Sequence, residues 1–122
     1  MSDKTKRAKI NMVIDRDENN IPEKITWQAT DNPEGPKKQE AKALLLALFD
    51  KKNLETVKVD LWTKEMMINE MDRFMFQTLR SLTDTYYKAT QNAKLASQMQ
   101  HFVHFFGQET GIIPKEGEKE NG

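Results

Sequence analysis

The sequence predicts an α+β fold: a single domain in the order β-β-α-β-α-α, with a small antiparallel sheet covered by helices. Three observations lead there. Two period-two segments stand at the start, either side of a polar turn. A third lies in the middle, after an apolar run. The rest of the chain then switches to helical spacing.

Taken in order, Lys9 to Asp15 alternates, with Ile10, Met12 and Ile14 on one face, as a half-buried strand does. Asp15 to Asn20 is a turn by composition. Pro22 has no N–H to give a ladder, so the second strand starts at or after it. There Ile25, Trp27 and Ala29 share a face opposite Lys24, Thr26 and Gln28. DNPEGP, Asp31 to Pro36, is a loop, and Pro36 suits a first helical position. A helix is expected from about Lys37 to Phe49. Its second half, ALLLALF, is apolar on nearly every side, so Leu46 and Ala47 need a further cover. Val57, Val59 and Leu61 then alternate with Lys58, Asp60 and Trp62 as the third strand. Asn69 reads as the N-cap of a long helix to about Ala89, carrying Met71, Phe74, Met75, Leu79, Leu82 and Tyr86 at helical spacing. Thr90 or Asn92 caps a last helix, and Gly107 marks its expected end.

The totals bound the function. The 122 residues fit one domain, expected over residues 8–113, with a flexible tail at 1–7 and a disordered one at 114–122. Lys plus Arg and Asp plus Glu number 19 each. That balance argues against nucleic acid as a partner, because such binding draws on excess positive charge. Without cysteine there is no thiol chemistry and no thiolate metal site. MSDKTKRAKI has no apolar core for a signal peptide, and no apolar stretch reaches bilayer length. A cytoplasmic location without membrane insertion is the expectation.

Each chemical candidate has a plainer alternative. DRDENN, Asp15 to Asn20, opens like a calcium loop but has Asn20 and Thr26 where that loop wants Gly and Glu. A hairpin turn is the better reading. His101 and His104, three apart on the last helix, are neighbours that lack an obvious set of further ligands. Lys58 and Asp60 share a strand face, and residues so placed usually form a solvated ion pair. No phosphate-binding glycine loop is present. No catalytic residue, cofactor or metal is therefore expected.

A surplus of apolar side chains remains off the primary core faces, among them Leu46, Met66, Met67, Phe76, Tyr87 and Phe105. Aromatic residues and Met are enriched at protein interfaces. Leu46, Trp62, Met66 and Phe76 are the candidate interaction surface.

The segments DENNIPEKITWQATD, QEAKALLLALFD and VDLWTKEMMINEMDRFMFQTL together resemble the gliding-motility protein GldC family of Bacteroidota. The resemblance runs in order from about Ile10 to Ile113. It implies a non-catalytic accessory of gliding motility, acting by protein–protein binding on an unidentified machinery or secretion component. Two alternatives stay open. One is a small-ligand or enzymatic domain using Lys58, Asp60, His101 and His104. The other is a self-associating module, a homo-oligomer built from the Leu-rich segment and the sheet edges.

Overall fold

The computed structural model describes residues 6–33 and 35–115. Residues 1–5 and 116–122 of the two expected tails lie outside the described residues. The α+β class holds, with antiparallel pairing throughout. Five strands precede two helices: β1 (Ile10–Arg16), β2 (Pro22–Ala29), β3 (Gln39–Ala41), β4 (Ala43–Phe49), β5 (Thr56–Trp62), α1 (Ile68–Thr90) and α2 (Ala93–Glu109). The chain divides into two compact units, Met1–Met66 with the strands and Met67–Gly122 with the helices.

In the strand unit β1, β2 and β3 form one sheet in that order. The register sets Ile10 opposite Ala29, Met12 opposite Trp27, and Ile14 opposite Ile25. Ile25 also faces Ala41. This is the apolar face expected from the alternation, and Ile25 at its centre is 1% exposed. The opposite face pairs Asp15 with Lys24 and Asn11 with Gln28.

The turn after β1 is built on Asp17, whose Oδ1 accepts the N–H groups of Asn19 (2.8 Å) and Ile21 (3.0 Å). A carboxylate that accepts backbone donors one turn on closes a loop as an Asx-turn does. Asn20 takes the left-handed conformation, φ 63°, which asparagine tolerates better than most residues.

The expected helix over Lys37 to Phe49 is absent. The chain is extended there as β3, a bend at Lys42, and β4. Periodicity does not separate a buried helix from a strand covered on both faces. A run of seven apolar residues fits the length of a strand. The order is thus β-β-β-β-β-α-α, with β4 and β5 forming a separate two-stranded sheet. Asp50 stabilises the loop that joins them: its Oδ2 accepts the N–H groups of Lys52 and Asn53, each at 3.0 Å. Leu54 takes φ 57°. Beyond β5, Thr63 returns to the bend, its N–H and Oγ1 both donating to the carbonyl of Lys42 at 2.8 and 3.1 Å.

The helix unit is an α-hairpin. A two-residue connection, Gln91 and Asn92, makes α1 and α2 antiparallel neighbours. Asn92 Oδ1 accepts the N–H of Leu95 at 3.0 Å, so Asn92 is the cap. The first helix begins before Asn69. Its N-cap is Met67, whose N–H donates to the Glu70 carboxylate at 3.0 Å. Phe76, Thr83, Ala96, Val103 and Gly107 are the buried positions of this hairpin.

Gly107 does not end the second helix, which continues to Glu109. The glycine that follows the end is Gly111, at φ 78° with its N–H on the carbonyl of Gln108. Gly107 serves packing instead. A Cβ built there would lie 2.7 Å from Phe76 Cε1 and 2.6 Å from Ile113 Cδ1. Phe76 and the returning chain at Ile113, whose N–H donates to Gly107 O at 2.9 Å, occupy the space that a side chain would need.

Candidate functional site

The β4–β5 hairpin carries one group of the exposed apolar residues; Leu95, Phe102 and Phe105 are exposed on α2. Cross-strand partners share a face. The register therefore puts Leu44 beside Leu61, Leu46 beside Val59 and Leu48 beside Val57 on one side. All six are apolar. The other side pairs Ala43 with Trp62, Leu45 with Asp60, Ala47 with Lys58 and Phe49 with Thr56. A strand that is apolar on both faces belongs to a sheet covered on both faces. Here much of that surface is open: Phe49 is 68% exposed, Leu48 59%, Val57 57% and Trp62 56%.

The candidate surface named from the sequence does not form one patch. Leu46 and Trp62 stand on opposite faces of the hairpin. Leu46 and Met66 are half-buried. Phe76 is only 6% exposed, packed within the helix unit, where the Arg80 guanidinium lies 5.5 Å from its ring centroid. Trp62 is the one member of the four that is exposed, at 56%. Leu48, Phe49 and Val57 were missed, because a helix assigned to this segment conceals which residues lie opposite the third strand.

Lys58 Nζ and Asp60 Oδ2 are 3.3 Å apart on the exposed face, an open ion pair as expected. His101 and His104 lie on α2 in the other unit, both exposed. His104, with Arg80, Asp84 and Gln100, lines a cleft of about 310 Å³ between the two helices, above Phe76 and Val103. His101 does not line it. Among the described residues no group of three His, Cys, Asp or Glu is placed to hold a metal. The carboxylate of Asp17, in the calcium-like stretch, is engaged by Lys64 Nζ at 2.6 Å. Lys64 also reaches Glu23 at 3.2 Å. The hydrogen bond from Lys64, followed by that from the Ile21 N–H, holds the Asp17 carboxyl below its ordinary value. In turn Asp17, then Glu23, raises the Lys64 ammonium above its own. This trio ties the segment after β5 to the β1–β2 turn. Chemically it is a structural ion pair, with its carboxylate already satisfied.

Among the described residues no helix is long and apolar enough to cross a membrane. No curated protein and no solved structure matches the chain. A family model described as gliding motility-associated protein GldC-like matches residues 22–112, from the start of β2 through α2. With that match covering most of its length, the chain belongs to the GldC-like family of gliding motility-associated proteins.

Proposed function

We propose that this chain serves gliding motility as a non-catalytic cytoplasmic accessory that binds another protein of the gliding or secretion machinery. The association with gliding motility comes from the family. Binding as the mode of action rests on one observation: the β4–β5 hairpin holds Leu48, Phe49, Val57 and Trp62 in solvent on its two faces. Contiguous exposed apolar groups mark an interaction surface; Leu48 and Val57 make one on one face of the hairpin, and Trp62 opens a second on the other. Trp62 is its natural anchor, since tryptophan is among the residues most enriched at binding hot spots.

The test places Trp62→Glu and Leu48→Glu in a gliding strain and follows protein level, gliding, and co-purification of machinery components. Normal levels with lost gliding, and loss of a component that the unaltered chain retains, are expected. Unchanged gliding and unchanged co-purification in both variants would rule the hairpin out as the binding surface. His101→Ala and His104→Ala are expected to leave gliding intact. Immobile cells carrying either one at normal level would instead favour chemistry at the helix unit.

A further inference from the structure

We infer that the exposed edge of β5 pairs antiparallel with β5 of a second copy, about a two-fold axis at Val59, and joins two hairpins into one four-stranded sheet. This does not depend on the partner proposed above, because backbone pairing uses the strand edge and leaves the faces free.

The two edges of the three-stranded sheet carry the usual protections. β1 is interrupted by a bulge between Asp15 and Arg16. β3 is only three residues long. Bulges and short strands are how sheets avoid unwanted pairing. β5 has neither: seven residues, TVKVDLW, in unbroken register with β4, without proline and with its two charges cancelling. Six of the seven are exposed, Leu61 being half-buried. A two-stranded hairpin is marginal by itself in water, and further strands stabilise it.

The side chains select a second copy as the occupant, and they select its register. Antiparallel pairing centred on Val59 sets Lys58 of each copy opposite Asp60 of the other, giving two opposite-charge pairs. It also sets Val57 opposite Leu61 and extends the apolar face of Leu44, Leu46 and Leu48 across both copies. Centring on Lys58 would bring two lysines together, and centring on Asp60 two aspartates. Like charges directly opposite are destabilising. A slip by one residue would mix the apolar and charged faces. The strand is thus complementary to itself in one register, as a two-fold interface requires.

The full chain is measured by sedimentation equilibrium, with circular dichroism confirming that each variant is folded. The unaltered chain is expected at twice its 14.2 kDa. Lys58→Asp and Asp60→Lys, at exposed positions, are each expected to weaken self-association by on the order of tenfold or more. An equimolar mixture of the two is expected to restore it as a heterodimer. The chain contains no cysteine, so single substitutions report position cleanly. Residues opposite each other in antiparallel strands have Cα atoms about 4.5–5.5 Å apart, within disulfide range. Val59→Cys should therefore cross-link to its counterpart under oxidation, and Lys58→Cys should not. A mass of 14.2 kDa at every concentration would overturn the inference. Charge variants that are folded and dimerise as before, a mixture that does not recover, or cross-linking at Lys58→Cys in place of Val59→Cys would overturn it equally.

Discussion

Gly107 shows how one side chain, or its absence, decides a packing arrangement. Alanine is favoured over glycine inside a helix by roughly 1 kcal/mol. Yet a Cβ here would meet Ile113 and Phe76 at 2.6–2.9 Å, far inside ordinary contact. Overpacking costs typically about 1–3 kcal/mol, so Gly107→Ala is expected to destabilise the chain by about 1 kcal/mol net. Urea denaturation of Gly107→Ala, Ile113→Ala and the double variant checks it. The glycine change should cost less once Ile113 is shortened. Equal effects in both backgrounds would mean that crowding is not its role. The Asp17–Lys64 pair makes a second prediction, about pH. Asp17 is held below its ordinary 3.8 in the folded chain, so its contribution is present above that value and is lost as pH falls through the lowered one. Lys64 is raised above 10.5, so its contribution is present below 10.5 and is lost as pH rises through the raised value. Asp17→Asn should therefore lower the thermal midpoint at neutral pH, and the difference from the unaltered chain should shrink in acid. A difference independent of pH would assign Asp17 to the turn alone.

At the level of elements, what could be read from the sequence depended on whether the pattern was one-sided. β1 and β2 alternate between an apolar and a polar face, and their register follows the expected faces residue by residue. The helices were legible for the same reason, with the last helix's cap narrowed to Thr90 or Asn92, of which Asn92 makes the bond to Leu95. ALLLALF has no polar face to set a period, so it was read as a helix although it is β4. The information lay in its length and in the polar turn that follows at Asp50. The candidate surface suffered from that error. Leu46 was assigned to a helix flank, and the neighbours that cross-strand pairing gives Trp62 stayed hidden. Phe76 belonged to no tidy stripe in the sequence because its buried companion on the same helix, Thr83, is polar. For the helix connection a direct check is available. Asn92→Ala removes the bond to the Leu95 N–H and should cost about 1 kcal/mol. Asn92→Asp, which keeps an acceptor in place, should cost much less. Equal losses from the two would show that the cap bond is not what Asn92 contributes.

For the molecule as a whole, the apolar content is ample but little of it is deeply buried. Ile25, Phe76, Ala96 and Val103 are the buried hydrophobic residues among those described, while Phe49, Trp62, Ile68 and Phe105 stand more than half exposed. Small units bury a low fraction of their surface and have correspondingly thin stability. A chain of this kind gains from any association that covers its apolar groups, and a formal charge of zero places no net repulsion between copies. Self-association through β5 then makes stability depend on concentration. Binding that is linked to the folded state contributes about 2.7 kcal/mol when free partner is a hundredfold above its dissociation constant. The thermal midpoint of the unaltered chain should therefore climb steadily as concentration is raised a hundredfold through that constant. In Lys58→Asp the same series should lie lower and stay flatter, because its β5 strands repel in the paired register. Differential scanning calorimetry across the series measures both curves. A midpoint that stays fixed for the unaltered chain would show that its marginal units stand without a second copy.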